Sequence, residues 1–498
     1  MALFALLWYI KPKPNNLLRL KMRKTKIVAT LGPSTDSEQM IEKLILAGVN
    51  VFRFNFSHST HEYHADNLRK VREISDRLSY PIAVLQDISG PKIRIGDVKG
   101  VLSLEAGDIL SFYAKDGFDD KYGVTINHPS IIPSLKVGDL IYLADGAIRC
   151  EVTATQDGIA RTKVIVGGDL TSKKGVNFPN ASLPIAAITE KDKKDMEFGV
   201  RYGVDMMAVS FVKSREDIEE AKKIVADFGG NCPIFAKIEK AEAVANLDSI
   251  IDAADGIMVA RGDLGVELGL SKVPIAQKRI IKAANKKGIP VITATQMLTS
   301  MIASPFPTRA EVSDIANAVL DGTDAVMLSD ETTVGKYPIE AIKALNETII
   351  EVEGIYPFYR NLEKIHIPED AIAVAANRMA EDMEPDALVV FTRSGGSAKS
   401  VAKYRPKPDI LVSVHCKEAY RRLAIVWGVR PVFVLEEHES SDRMLCEFTI
   451  RALDAGVMKE DGTYIVTVGY PTGLEGTTNL VRIMREADIK HAKNVCNL

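Results

Sequence analysis

Lys26-Ile-Val-Ala-Thr-Leu31, then Glu38 to Ala47, then Val51-Phe-Arg-Phe-Asn55: the reading of this stretch decides the fold. The first segment is short, apolar and β-branched, as a buried strand requires. The second has helical periodicity and stops at Gly48. The third alternates strictly, with Phe52, Phe54 and Phe56 on one face and Arg53, Asn55 and Ser57 on the other. A further helix over Tyr63 to Leu78 and a strand over Ile82 to Asp87 extend the alternation, which implies a parallel sheet.

The pattern then changes. From about Lys92 to Leu183 the segments are short and β-rich, with turns at Gly107-Asp108, Gly138-Asp139, Asp145-Gly146 and Asp157-Gly158. This is a small β domain inserted into an α/β one. Alternation resumes at Lys191, with strands at Asp205–Ser210, Ile234–Ile238, Gly256–Ala260, Val291–Ala294 and Ala325–Leu328. Three strands before the insert and five after it make eight βα units, which point to a TIM (β/α)8 barrel. A doubly wound open sheet is the competing reading. After about Pro357 a separate α/β pattern begins, with strands at Ala387–Phe391, Ile410–Val414, Pro431–Leu435 and Tyr464–Val468. The expected organisation is an extension over 1–21, a barrel over 22–91 and 189–356, an inserted β-barrel lid over 92–188, and a C-terminal α/β domain over 357–498.

Composition sets the outer bounds. The 498 residues exceed one ordinary domain. A formal net charge of −3 gives no electrostatic reason to expect nucleic acid or membrane as a partner. The five cysteines are scattered without a C-x-x-C pair, which reads as a reducing, cytoplasmic setting. The apolar run Met1–Ile10 is too short to span a bilayer. It reads as a loose or docked extension, as an upstream start before Met22, or as a targeting segment.

The chemistry gathers at the strand ends. Ile234-Phe-Ala-Lys237-Ile-Glu239 and Gly256-Ile-Met-Val-Ala260-Arg261-Gly262-Asp263 are apolar runs that end abruptly in charge. The other ends carry Thr30 and Pro33, Arg53, Asn55, Ser57 and His58, Asp87, Ser210 and Lys213, Thr295 and Gln296, and Ser329 and Glu331. In a TIM barrel these positions line the functional mouth. Any one of them alone is as well explained as a helix cap or solvated loop; polar groups at all eight ends are not. Arg53 suits phosphate, because a guanidinium grips two oxygens. Arg261-Gly262-Asp263 reads as a turn exposing N–H groups to an anion, with Asp263 on a metal. In the last domain, Ser394-Gly-Gly-Ser-Ala-Lys399-Ser400 lacks the glycines of a P-loop, and that reading is rejected.

Together, Lys26-Ile-Val-Ala-Thr-Leu-Gly-Pro-Ser34, Phe52-Arg-Phe-Asn-Phe-Ser-His58, Lys237-Ile-Glu239, Met258-Val-Ala-Arg-Gly-Asp-Leu-Gly265, Ala294-Thr-Gln-Met-Leu298 and Met327-Leu-Ser-Asp-Glu-Thr332 resemble the pyruvate kinase family, in its order. The resemblance covers essentially everything after Met22. It implies phosphoryl transfer from phosphoenolpyruvate to ADP. It places Mg2+ or Mn2+ on Glu239 and Asp263. Lys237 would stabilise the phosphoryl group in flight, Arg53 would contact it, and Thr295 would help deliver a proton to the enolate carbon. The backbone of Ala260, Arg261, Gly262 and Asp263 would hold the substrate carboxylate. Thr30, Pro33, Asn55, His58, Arg94 and Lys191 fall on the nucleotide side. The insert would be a lid that excludes water. The family also implies a homotetramer.

One departure matters. Many family members read Asp-Thr-Lys-Gly-Pro-Glu-Ile-Arg where this chain reads Asp87-Ile-Ser-Gly-Pro-Lys92-Ile-Arg94. The monovalent-cation region is then Asn55, Ser57, Asp87, Ile88 and Lys92. In the family, that Glu accompanies a bound K+ and a Lys there accompanies activity without it, so the resemblance implies that K+ is not required; an ammonium at Lys92 can supply the charge that K+ supplies elsewhere. Thr392, Arg393, Ser394, Gly395, Gly396 and Ser397, with Gly473, Gly476 and Thr477, match the family's effector loops and imply a phosphorylated small-molecule effector. An aldolase or lyase of the phosphoenolpyruvate/pyruvate barrel type shares the metal-held enolate but has no use for the lid. A catalytically dead regulatory protein predicts erosion at Lys237, Glu239, Asp263 or Thr295, and all four are present.

Overall fold

The computed structural model describes residues 23–115, 117–144, 146–179, 181, 184–359, 362, 370–436, 440–470 and 478–495. The expected extension over 1–21 lies outside them. Two compact units make up the chain. One takes in the residues through Gln86, Tyr202–Met206, and Ile281 onward; the other takes in Asp87–Arg201 and Met207–Ile280.

Before the insert come β1 (Lys26–Thr30), β2 (Val51–Asn55) and β3 (Ala83–Asp87). The insert holds β4 (Leu102–Leu104), β5 (Ile109–Tyr113), β6 (Gly123–Thr125), β7 (Leu140–Leu143), β8 (Ile148–Gln156), β9 (Ile159–Val166), β10 (Gly168–Leu170) and β11 (Val176–Asn177). After it come β12 (Met206–Val209), β13 (Ile234–Ile238), β14 (Gly256–Ala260), β15 (Val291–Ala294) and β16 (Ala325–Leu328). The strands outside the insert close into a barrel in the order β1-β16-β15-β14-β13-β12-β3-β2. Closure excludes the open doubly wound sheet. The strands read as unbroken apolar runs because they are covered on both faces: every residue of β1, β3, β14, β15 and β16 is buried. β2 departs from this as its alternation foretells, with Phe52 and Phe54 buried and Arg53 and Asn55 half-buried, and β13 leaves Lys237 half-buried.

The helix Glu38–Ala47 starts where the Ser37 hydroxyl accepts the Met40 N–H. It stops at Gly48, whose φ of +120° disfavours a side chain, and a Cβ there would meet the Arg23 guanidinium at 2.8 Å. The next helix begins at His61, not Tyr63, because Thr60 is its cap and accepts the Tyr63 N–H.

The small β-barrel expected for the insert takes the form of two sheets, β11-β7-β8-β9-β5-β6 and β10-β4. They share one apolar core that includes Phe112, Ile141, Val152 and Phe178. Asp157-Gly158 makes the β8–β9 hairpin turn, with φ of +51° and +76°.

The C-terminal sheet runs β19 (Val429–Val434), β18 (Asp409–Val414), β17 (Ala387–Phe391), β20 (Tyr464–Gly469) and β21 (Thr478–Met484). β21 pairs antiparallel with β20 and escapes the sequence reading, because this edge strand buries only Met484. Among the described residues Cys150 and Cys232 are buried free thiols and Cys416 is an exposed one. No helix among the described residues is long and apolar enough to cross a membrane.

Candidate active site

The carboxyl ends of β3, β12, β13 and β14 carry one group of functional side chains. Lys237 lies near the end of β13, where the Lys237–Glu239 spacing turns both side chains the same way. Its ammonium is 2.8 Å from Glu239 Oε1 and 3.2 Å from Asp87 Oδ1, and it donates to Ser210 Oγ at 2.7 Å. Asp87 and Glu239 are almost fully buried. Without the lysine their charges would be expensive to hold there. The other Glu239 oxygen accepts the Phe211 N–H at 2.9 Å. Phe211 has φ +58°, a left-handed conformation rare for an aromatic residue.

Lys92 stands in the same charged field. Burial pushes its ammonium below the ordinary lysine value, the Lys237 and Arg94 cations push it further, and Asp87 and Asp263 partly oppose them. The pairing of β13 with β14 sets Ile238 opposite Val259, so Glu239 stands level with the end of β14. There the expected turn is instead a helix start: Arg261–Leu268 is helical with Ala260 as its cap. Ala260 to Asp263 therefore form the first turn of a helix, whose N-terminal N–H groups and dipole make a setting that favours anions. Asp263 is exposed in that turn, whereas Arg261 is buried and donates to Gln277 Oε1 at 3.4 Å.

Among the described residues no cluster of three or more His, Cys, Asp or Glu is built to hold a metal. Glu239 and Asp263 offer hard carboxylate oxygens, and such a pair suits a Mg2+-like ion that draws its other ligands from water and substrate phosphate. Residues near the connections to the inserted domain place the remaining expected groups. Ile88 is buried and donates its N–H to Ala208 O at 3.0 Å. Arg94 donates its backbone N–H to Asn127 Oδ1. Lys191 is exposed and pairs with Asp195 at 2.5 Å. Asp192 went unremarked in the sequence: its buried carboxylate accepts from Gly90 N–H, Ser89 Oγ, Thr189 N–H and Thr189 Oγ1. Nothing in its position, beyond a place in the first turn of a helix, marks that role.

The carboxyl ends of β1, β2, β15 and β16 carry the other group. Arg53 donates to Thr30 Oγ1 at 3.1 Å, and Thr30 Oγ1 donates to Leu328 O at 2.8 Å. Asn55 Oδ1 accepts the Ser57 N–H, while Pro33 and His58 are exposed. Thr295 and Gln296 follow β15 with φ of +69° and +55°, two adjacent non-glycine residues in the left-handed region. Thr295 Oγ1 donates to Ala294 O at 2.6 Å. Glu331 is structural: its buried carboxylate accepts the Leu298 and Ser329 N–H groups.

In the C-terminal domain Thr392 Oγ1 accepts the Gly395 N–H, Gly396 opens a helix, and the hydroxyls of Ser397 and Thr478 touch. Arg393 and Ser394 are exposed. Gly473, Gly476 and Thr477 lie outside the described residues.

Comparison with known proteins adds a family context. Residues 22–342 match the family model described as pyruvate kinase, barrel domain, and residues 370–484 match pyruvate kinase, alpha/beta domain. The chain is 42% identical over 469 residues to Pyruvate kinase 2 of Synechocystis sp., covering 93% of this chain and 79% of that protein. It is 42% identical over 472 residues to a Pyruvate kinase of Staphylococcus aureus, covering 93% and 80%.

Proposed function

The chain belongs to the pyruvate kinase family and is a kinase acting on phosphoenolpyruvate and ADP; we propose that the two groups of strand-end residues divide that reaction between them. The P–O bond to the enol oxygen breaks, a new P–O bond forms to a terminal ADP oxygen, and the enolate carbon takes a proton to give pyruvate. The observation that supports this reading best is the Lys237 ammonium held between Asp87, Glu239 and Ser210. It is a fixed cation at a buried strand end, suited to charge that develops on a phosphoryl group in flight and on an enolate.

Glu239 and Asp263 would hold a divalent cation, Mg2+ or Mn2+, which when bound neutralises phosphate and enolate oxygens. The N–H groups from Ala260 to Asp263 receive the substrate carboxylate. Arg53, steadied by Thr30, grips the transferring phosphate. Thr295 assists protonation of the enolate carbon. Thr30, Pro33, Asn55, His58, Arg94 and Lys191 serve the nucleotide, and the insert excludes water. Lys92 supplies the positive charge that K+ would bring to Asn55, Ser57, Asp87 and Ile88. Residues 392–397, with Gly473, Gly476 and Thr477, take a phosphorylated effector. The enzyme works as a cytoplasmic homotetramer.

The test is pyruvate formation from phosphoenolpyruvate and ADP with Mg2+, with and without K+ at constant ionic strength. Full activity without K+ is expected from the natural chain, and activity only with K+ from Lys92→Glu. No pyruvate under any condition overturns the reading, and strong K+ activation of the natural chain overturns the role of Lys92. Shifts of the phosphoenolpyruvate saturation curve by sugar phosphates or nucleotides test the effector loops.

A further inference from the structure

Ser210 to Lys213, the segment that leaves β12, touches both of the connections that carry the inserted domain. On the first connection, Ser210 Oγ donates to Ile88 O at 2.7 Å. Gly90 lies so close that a Cβ there would meet the Phe211 ring at 2.7 Å and Ser210 Cβ at 3.1 Å, and its φ is +63°. On the second connection, Lys213 Nζ donates to Ile185 O at 3.0 Å. A narrow cleft of about 10 Å3 separates the two, lined by Pro91, Ile185, Phe211, Lys213 and Lys240 among others.

The same segment holds the reactive groups. Ser210 Oγ accepts from Lys237 Nζ at 2.7 Å, and the Phe211 N–H donates to Glu239 Oε2 at 2.9 Å. The left-handed backbone of Phe211 is therefore fixed by a carboxylate that the proposed function assigns to the metal. Two residues on, Lys213 donates to the Ile185 carbonyl.

From this geometry we infer that Lys213 is a positioning residue, a latch that ties the second connection of the inserted domain to the segment holding Lys237 and Glu239. Filling of the substrate site thereby sets the position of the lid. This inference rests on the proposed reaction. Lys213 touches no reacting atom; it acts through the Ile185 carbonyl and the Phe211 peptide.

The experiment compares the natural chain, Lys213→Met and Lys213→Arg as full-length proteins. Hydrogen exchange of the peptide containing residues 184–188 is followed with and without Mg2+ and phosphoenolpyruvate, alongside the steady-state constants. Ligand-induced protection is expected in the natural chain and in Lys213→Arg, whose guanidinium can still donate, and is expected to be lost in Lys213→Met. With it, the KM for ADP rises about tenfold in Lys213→Met while the KM for phosphoenolpyruvate stays within about twofold, since the ADP complex depends on lid position. Protection and an ADP KM in Lys213→Met that equal those of the natural chain overturn the latch, as does failure of Lys213→Arg to restore them. A Lys213→Met variant that raises both KM values and lowers the melting temperature together, unrescued by arginine, would show a purely structural lysine and overturn the latch. Lys213→Gln, too short to reach the carbonyl, replaces the methionine variant if that one does not fold. The assays separate the two readings: no pyruvate from the natural chain overturns the proposed reaction, whereas the exchange measurement judges the latch directly.

Discussion

Lys237 is the residue at which stability and chemistry meet. Its ammonium neutralises Asp87 and Glu239, both nearly fully buried, and Ser210 fixes its direction. The ground-state partners therefore hold the cation where the proposed reaction would use it, with little left to reorganise. Lys237→Met removes that cation. The kcat is expected to fall by about 10^3-fold or more, the scale of loss when a phosphoryl-transfer cation is removed. Stability should fall too, because two buried carboxylates lose their counter-ion, a change worth about 3–5 kcal/mol in comparable sites. A coupled pyruvate assay and a thermal melt check the two effects, and a kcat within tenfold of the natural value would remove Lys237 from the reaction. The identity of this lysine was legible from its place after an apolar run. The partners that aim it, Asp87 and Ser210, come from other strands, and no local pattern joins them.

Elements were legible in proportion to how far local forces set them. β1, β13, β14, β15 and β16 begin and end within a residue of their mostly apolar runs, since burial on both faces leaves few polar residues inside them, and β2 keeps to its alternating run. Arg261-Gly262-Asp263 looked like a turn because Gly and Asp favour turns; in the closed barrel the chain must leave β14 for the outer layer, and a helix starts there at once. β21 stayed hidden because its pattern is set by pairing with β20, not by burial. The helix Arg309–Asp321 shows the opposite case, with its start written locally. Thr308 Oγ1 accepts the Glu311 N–H, and the Glu311 carboxylate accepts from Thr308 and Ser300 in return. Thr308→Ala is expected to cost about 1 kcal/mol at pH 7 in chemical unfolding. Burial works to raise the Glu311 pKa, but the hydrogen bonds from Ser300 and Thr308 outweigh it and hold the carboxyl below its usual value. A carboxyl so depressed adds stability above its unfolded pKa and loses it as pH falls through the folded one. The gap between natural chain and variant should therefore narrow below about pH 4. A gap that widens on acidification would contradict this account of the cap.

At the scale of the molecule, the barrel and the C-terminal domain are joined by buried charge. Arg405 donates to both oxygens of Asp324 at 3.0 Å, to Asn285 Oδ1 and to Gly322 O, and its guanidinium lies 4.9 Å from the centre of the Trp427 ring. At the foot of β1, Lys24 pairs with Asp409 at 2.5 Å and Lys26 Nζ donates to Val429 O at 2.7 Å. These ties explain why the opening segment around Lys26 carries charge beside its apolar run: it is both a strand and an anchor. Lys26 is strained electrically. Burial pushes its ammonium down to about 7, the Arg23 cation adds to this, and Asp409 and Glu353 oppose it. In the unfolded chain the same lysine titrates near its ordinary value of about 10.4. Between these values the unfolded state holds a proton that the folded state has released, so stability rises with pH from about 7 towards 10, and the penalty is complete below 7. Lys26→Met should abolish that rise in melts taken at pH 6, 8 and 9.5, and should gain most on the natural chain at pH 6, although the Val429 carbonyl loses its donor at a cost of about 1–3 kcal/mol. A variant that keeps the natural pH dependence would place the titrating group elsewhere, and Lys26 would then remain charged, held by the Val429 carbonyl and by the nearby charges of Asp409 and Glu353.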